Sequence, residues 1–310
     1  MEVNDLHLFT RSMVMDDLTA LIRVSIQNSK SEPWFPELAD ELTTGAWDRL
    51  NRDIGLTPES YGTTRVLARN WLAPRQIIAS LQTRESVGER NSIISVETLT
   101  GSVSKYEEAG IRFYSASEIS KPTILDCLHE AMGLIGGVLS LIGTVSSLVR
   151  SLHVIKPEDS HYDISFSEPS VPFSIFVSVP EERIENDSLR VAEAVVHEAM
   201  HLQLTLIEQV LPLVVGRSKQ YYSPWKRELR NAQGILHALY VFGVIKRFLQ
   251  EVYPRQKATE RNHIRNRVTE INKQLTQSQG LALSSELTAD GIQLVEKLFL
   301  IGLRFTNQYL

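Results

Sequence analysis

The chain has 310 residues, a formal net charge of −5 and an isoelectric point near 5.9. Hydrophobic residues make up 43% of it and charged residues 22%, which is typical of a globular protein with a sizeable core. A weakly acidic protein has no electrostatic basis for general nucleic-acid binding. The single cysteine, Cys127, excludes an internal disulfide, and the N-terminal sequence lacks the basic and apolar regions of a signal peptide. We therefore expect a cytoplasmic protein.

Apolar residues recur every three or four positions in several segments, and this spacing predicts helices. In chain order these segments are Asp16–Asn28, Thr64–Gln82, Pro122–Val154, Ser188–Leu211, Gln233–Val252 and Asp290–Tyr309. Strand patterns are fewer and occur at Ser92–Thr98, Arg112–Tyr114 and Phe173–Val179. The predicted fold is mainly α with a small β component (α+β). In it, a buried metal-binding helix lies beside a short edge strand or sheet. The third strand is expected at an edge because prolines flank it.

Two regions are expected along the chain. Residues 1–120 form an N-terminal helical region of unassigned role, and residues 121–310 form a metal-binding catalytic region. One continuous domain is the alternative. The segment Ala131–Val149 has nineteen residues without a charge, which is long enough to span a bilayer. It contains four glycines and four serines or threonines, so we predict a buried helix or helix pair and no membrane span.

The motif His197-Glu198-Ala199-Met200-His201 carries the clearest chemical signal. Histidines four residues apart lie one turn apart on the same helix face and can bind one metal ion together. The surrounding helix is apolar nearly all round, which predicts burial. Buried imidazoles need polar partners, and a metal ion supplies one.

The third ligand is predicted to be His237, because it lies in an apolar helical segment. His263 lies in a charged segment that is expected to be exposed, within a basic run, Lys246–Arg267, read as a solvated helix face and linker. Glu208 and Glu193 are the alternative carboxylate ligands.

Several segments of the second half resemble a family of HExxH-motif peptide-modification proteins found beside the precursors of ribosomal peptide natural products. The resembling segments are PFSIFVSVP (Pro172–Pro180), RVAEAVVHEAMHLQLTL (Arg190–Leu206), SPWKRELR (Ser223–Arg230), GILHALYVF (Gly234–Phe242) and LTADGIQLVEKL (Leu287–Leu298). The resemblance implies an Fe(II)- and 2-oxoglutarate-dependent dioxygenase that hydroxylates the β-carbon of a residue in a precursor peptide. It also implies that His197, His201 and His237 bind the iron. A separate leader-peptide-binding protein is a possible further partner.

The far carboxylate of 2-oxoglutarate needs a cationic partner, and a guanidinium suits it through two parallel hydrogen bonds. Arg230 is the first candidate and Arg227 the second, because both shortly precede His237. Aromatic and hydroxyl groups nearby are candidates for the pocket lining, and these are Tyr221, Tyr222, Ser223 and Trp225.

The strand after Pro172 is the candidate peptide-binding element, since an extended peptide can add to an exposed strand edge. Its residues are Phe173, Ser174, Ile175, Phe176, Val177 and Ser178. A purely structural strand is the alternative.

Two other functions stay open at this point. In a zinc metallopeptidase, Zn(II) would replace iron and Glu198 would act as the catalytic general base on metal-bound water. In an oxygenase, Glu198 would instead orient a ligand, a water or the substrate amide. A non-catalytic peptide-binding module with a residual metal site is the third reading. A structural zinc site normally has four protein ligands that include cysteines, which this chain lacks apart from Cys127.

Overall fold

The computed structural model describes residues 16–53, 75–84, 91–99, 104–159, 163–167 and 173–304. Over these residues the chain is mainly helical with a small mixed sheet, which confirms the predicted fold class. The helices are residues 16–27 (α1), Ala39–Asp53 (α2), Ser104–Glu108 (α3), Ala116–Ile119 (α4), Pro122–Gly136 (α5), Leu139–Leu148 (α6), Asp187–Val210 (α7), Ala232–Val252 (α8), Ala258–Gln277 (α9) and Ala289–Arg304 (α10). Short 3₁₀ helices span Pro36–Leu38, Tyr253–Arg255 and Gln279–Leu283.

The strands form one mixed sheet and a separate hairpin. They are Arg75–Arg84 (β1), Asn91–Leu99 (β2), Arg112–Phe113 (β3), Ser151–Lys156 (β4), Ser165–Ser167 (β5), Ser174–Ser178 (β6), Tyr221–Ser223 (β7) and Glu228–Arg230 (β8). The sheet order is β1-β2-β4-β6-β5, and β3 pairs with the end of β4. Strands β2, β4 and β6 are parallel, whereas β1 and β5 pair with their neighbours antiparallel. Strands β7 and β8 form the hairpin.

The predicted strand from Phe173 is real, but the edge position is wrong. Strand β6 pairs with β4 on one side and β5 on the other, and every residue from Phe173 to Ser178 is buried. A strand whose two edges are both paired has no backbone groups left for a peptide. Addition of a peptide to an exposed edge, the reason given for a peptide-binding role of this strand, is therefore not available to β6; the residues concerned are Phe173, Ser174, Ile175, Phe176, Val177 and Ser178.

The structure also changes three other predicted elements. The segment Pro122–Val154 is a helix pair, α5 and α6, followed by strand β4, so the buried helix pair is confirmed. Residues 75–82 are strand and not helix, while residues 64–74 of that predicted helix lie outside the described residues. The N-terminal region is accordingly not purely helical. Among the described residues, no helix is both long enough and apolar enough to cross a membrane.

Helix α7 is the central element of the fold. It packs on β5 and β6 on one side and against α5, α6 and α8 on others, as its apolar surface predicts. Its N-cap residue is Asn186, which has a left-handed backbone and makes no side-chain capping hydrogen bond. The carboxylate of the first helical residue, Asp187, accepts hydrogen bonds from the backbone N–H groups of Ile184 and Ser188. The helix ends at Val210, two residues before Pro212, as expected.

Both halves of the chain contribute to one hydrophobic core. Trp34 and Phe35 are fully buried in the same cluster as the apolar residues of α7 and α8. The Phe35 ring stacks on Tyr240 of α8, with centroids 6.2 Å apart. Among the described residues, the arrangement is therefore that of one continuous domain.

Candidate metal centre

Helix α7 holds His197 and His201 one turn apart on the same face, as predicted. Their Nε2 atoms are 3.2 Å apart. Two nitrogens that bind one ion at about 2.1 Å are separated by roughly 3.0 to 3.4 Å, depending on the coordination geometry. The pair therefore has the spacing of two neighbouring ligands of one metal ion.

Helix α8 brings His237 to the same place from 36 residues further along the chain. Its Nδ1 lies 3.2 Å from Nδ1 of His201, and the two rings are nearly parallel. On its other side, the Nε2 of His237 is 2.9 Å from a carboxylate oxygen of Glu208, which also accepts a hydrogen bond from Gln233. A carboxylate at this position holds the proton on Nε2 and leaves the Nδ1 lone pair directed at the other histidines.

The three imidazoles form a row, which we call the histidine row (His197, His201 and His237). His201 lies in the middle and meets one neighbour with each of its nitrogens. Because these nitrogens point in different directions, one ion cannot contact both. Within the described residues, no three His, Cys, Asp or Glu side chains are arranged to hold a metal ion. The His197–His201 pair fits an ion as it stands, and a third histidine ligand requires a ring to turn.

The protonation states of His197 and His201 suit metal binding. Burial lowers the pKa of His201 to about 2, and the neighbouring imidazoles of His197 and His237 lower it further. Burial lowers the pKa of His197 to about 4, with additional contributions from the positive charges of Lys226 and Arg267. Both imidazoles are therefore neutral at pH 7, which is the form that can bind a metal.

Glu198 is buried and points to the sheet. Its Oε1 accepts a hydrogen bond of 2.7 Å from the Ser165 hydroxyl, and Ser167 donates to the carboxylate through its hydroxyl and its backbone N–H. Burial raises the pKa of Glu198 to about 7, and these hydrogen bonds oppose that effect. The same Oε1 is 3.9 Å from Nε2 of His197.

A cavity of about 360 Å³ opens beside His197. Its lining residues come from α7, α8, α9 and the segment around β5, and are Asp163, Ser165, Arg190, Glu193, Ala194, His197, Phe242, Ile245, His263 and Arg267. The volume accommodates a small dicarboxylic acid or one side chain of a peptide. Phe242 packs edge-on against the His197 ring and is stacked by Trp225 from the other side.

Two arginines of this cavity are paired with carboxylates. Arg190 forms a bidentate pair with Asp163. Arg267 donates to Glu193 at 3.0 Å and to Glu270 at 2.9 Å, and its guanidinium lies 5.5 Å from the centre of the Phe242 ring. Glu193, an alternative ligand in the sequence analysis, is therefore occupied by Arg267.

The β7–β8 hairpin lies on another side of the row and carries the predicted cosubstrate residues. Arg230 is exposed, its Nε is 3.6 Å from a carboxylate oxygen of Glu228, and its charge acts on His201. Lys226 influences His197, Glu198 and His201 electrostatically. Arg227 is also exposed and has a left-handed backbone, with φ of 55°.

The predicted pocket-lining residues of this hairpin do not all lie at the histidine row. Trp225 lies over Phe242 at the row, and Ser223 is buried beneath the hairpin turn. Tyr221 donates or accepts a hydrogen bond with Ser284, away from the histidines, and Tyr222 is exposed.

Sequence reasoning missed several neighbours of the row. His263 was expected to be exposed, yet it is partly buried and lines the cavity. The basic run Lys246–Arg267 is not simply a solvated face, because Lys246 is buried and Arg267 is partly buried. The only sequence pattern that pointed to Ser165 and Ser167 is the short polar–apolar alternation of the segment SFS. Their partner Glu198 is more than thirty residues away in the chain, so local sequence could not reveal the contact.

Comparison with protein-family models finds no match to this chain, and comparison with curated protein sequences finds none either. The function must therefore be inferred from the residues and their arrangement.

Proposed function

We propose that this protein is an Fe(II)- and 2-oxoglutarate-dependent hydroxylase that acts on the β-carbon of a residue in a ribosomally made precursor peptide. The observation that carries the proposal is the row of three adjacent histidines, of which His197 lines the cavity and His237 is oriented by Glu208. The resemblance of Pro172–Phe242 to peptide-modification proteins supports the choice of iron and 2-oxoglutarate.

His197, His201 and His237 would hold the iron. When bound, the metal supplies the chemistry of the reaction: O₂ is consumed, 2-oxoglutarate is converted to succinate and CO₂, and one oxygen atom enters a C–H bond of the peptide. Every other contribution comes from the protein. Glu208 keeps the proton on Nε2 of His237, so that Nδ1 remains available as a ligand.

Positive charge near the row favours a dianionic cosubstrate. Lys226, Arg230 and Arg267 all act electrostatically on the histidines. Arg267 is already paired with Glu193 and Glu270, whereas Arg230 has only the longer contact with Glu228. Arg230 therefore stays the preferred partner of the far carboxylate, and Arg227 is second.

The arrangement of Glu198 favours an oxygenase over a zinc peptidase. A general base must turn a free carboxylate oxygen to metal-bound water. Glu198 instead receives hydrogen bonds from Ser165 and Ser167 and is almost completely buried. An oxygenase needs no such base.

The decisive experiment is a succinate assay. The full chain is purified without oxygen, loaded with Fe(II), and exposed to 2-oxoglutarate in air, with and without synthetic peptides that match any short open reading frames next to its gene. We expect succinate that depends on iron and a peptide product heavier by one oxygen atom. His197→Ala should abolish both.

His129→Ala is the matched control, because His129 is followed by a glutamate but lies exposed on α5, where it bonds only the backbone oxygen of Leu125. It should retain full activity. A zinc-loaded protein that cleaves the peptide and forms no succinate would contradict the proposal and establish the peptidase.

A further inference from the structure

The outer edge of strand β5 is defined by its register with β6. The backbone N–H of Ser178 donates to the carbonyl oxygen of Ile164, so residues 164 and 178 form a hydrogen-bonded pair. In an antiparallel ladder the next residue directs its backbone groups to the opposite side. Ser165 and Ser167 therefore present their backbone N–H and C=O groups away from β6. Among the described residues, no strand pairs with that edge.

Glu198 lies against this outer edge. Its carboxylate accepts the backbone N–H of Ser167 and the hydroxyl groups of Ser165 and Ser167. The side chain is almost completely buried, so these donors replace the water that would otherwise solvate the carboxylate. Together these donors hold the carboxylate against β5.

Two candidate metal ligands lie close to Glu198 on helix α7. His197 precedes Glu198 directly, and His201 follows it by three residues on the same helix. Ser165 itself lines the cavity that opens at His197. A rigid link between Glu198 and β5 therefore determines how the His197–His201 turn is placed relative to the cavity.

We propose that Glu198 is a positioning residue: it attaches the histidine-bearing turn of α7 to the outer edge of β5 and does not accept a proton from water. Its role in the reaction rests on the proposed function, whereas the attachment itself is a property of the metal-free protein. The alternative, a general base, needs a carboxylate that is free to leave Ser165 and Ser167.

The test compares Glu198→Gln, Ser165→Ala and the double variant in the full chain. Glu130→Gln is the matched control, since Glu130 follows His129 in the same His-Glu order but bonds Arg183 and Ser188 at the start of α7, two turns or more before the histidines. The first measurement is the NMR spectrum of ¹⁵N-histidine-labelled, metal-free protein. The second is Co(II) affinity with the visible absorption spectrum of the Co(II) complex. Circular dichroism establishes that each variant is folded.

We expect Ser165→Ala and Glu198→Gln to shift the imidazole signals of His197 and His201 while leaving that of His129 in place. Each should weaken Co(II) binding by roughly 10- to 100-fold, the usual effect of losing a group that orients a metal ligand. The double variant should be no worse than the stronger single variant, because both remove one contact. Glu130→Gln should change nothing.

The proposal is overturned if Ser165→Ala leaves the histidine signals and the Co(II) spectrum unchanged, or if the effects of the two substitutions simply add. It is also overturned if Glu198→Gln abolishes peptide hydrolysis while the metal spectrum stays that of the parent. A parent protein that fails to bind Co(II) would refute the metal centre and not the attachment, which the metal-free NMR measurement tests by itself. Should Glu198→Gln not fold, Ser165→Ala alone decides.

Discussion

At the scale of single residues, buried polar side chains distinguish this protein. Tyr240 donates a hydrogen bond to Gln203, which joins α8 to α7 close to the histidine row. Lys246 lies further along α8 and is only 1% exposed. Burial lowers the pKa of Lys246 to about 8, well below its usual value. Because the fold buries the Lys246 amine, the free energy of unfolding depends on the protonation of this group.

Lys246 gives a prediction for the pH dependence of stability. Below pH 8 the amine is charged in both the folded and the unfolded chain, so its contribution is constant. Between pH 8 and about 10.4 the unfolded chain binds more protons than the folded one, and folding stability therefore rises with pH. We expect the parent to gain roughly 3 kcal/mol over this window relative to Lys246→Met. Urea unfolding at pH 7.5 and pH 10.5 measures the difference, and parallel changes in the two proteins would contradict it.

At the scale of elements, two helices and a hairpin form the candidate metal centre. Helix α7 supplies a histidine pair through its own periodicity, and α8 supplies His237 only because it packs beside α7. The β7–β8 hairpin precedes α8 directly and carries Lys226, Arg227 and Arg230. Helix α9 adds Arg267 and His263 at the cavity wall.

The position of Arg230 on the hairpin allows a prediction about binding of 2-oxoglutarate. Arg230→Ala should raise the KM for 2-oxoglutarate about 10- to 100-fold, as expected for the loss of a charge-assisted hydrogen bond of about 1.5 to 3 kcal/mol. The kcat should change less. Arg227→Ala, at the second candidate on the same hairpin, should raise this KM less than Arg230→Ala does. If instead Arg267→Ala raises the KM and Arg230→Ala does not, the carboxylate partner lies on α9.

At the scale of the whole molecule, the described parts of the two halves of the chain share one hydrophobic core. Trp34 donates a hydrogen bond to the hydroxyl of Ser140 on α6, and Gln203 of α7 donates to the backbone oxygen of Phe35. The N-terminal segment thereby contacts the helices that surround the metal centre. One core of this kind predicts cooperative unfolding.

Trp34→Ala tests this shared core. Truncation of a fully buried tryptophan should lower the free energy of unfolding by about 3 to 5 kcal/mol. The whole domain should still unfold in one step. Cys127 is a second probe, because burial raises the pKa of its thiol to about 12 and keeps it unreactive in the folded protein. Circular dichroism and thiol labelling should follow the same urea curve, and two separate transitions would refute a single core.

Local periodicity predicted the histidine pair and six of the longer helices, α1, α5, α6, α7, α8 and α10, whereas α2 and α9 were not among the predicted segments. The spacing of His197 and His201 and the apolar surface of α7 are properties of about twenty consecutive residues, and the structure confirms both. Residues 75–82 were predicted wrongly as helix, because short apolar segments fit both helix and strand until their partners are known. The edge position of β6 was wrong for the same reason, since strand order depends on distant segments.

The helix that carries the candidate ligands can be recognised from the sequence alone, because four-residue spacing on an apolar helix leaves few alternatives. The surroundings of those ligands depend on tertiary packing. It joined His237 to Glu208, directed Glu198 to Ser165 and Ser167, and placed Arg267 and His263 at the cavity. These contacts connect residues that are far apart in the chain, and their geometry follows from how helices and strands pack and not from local spacing.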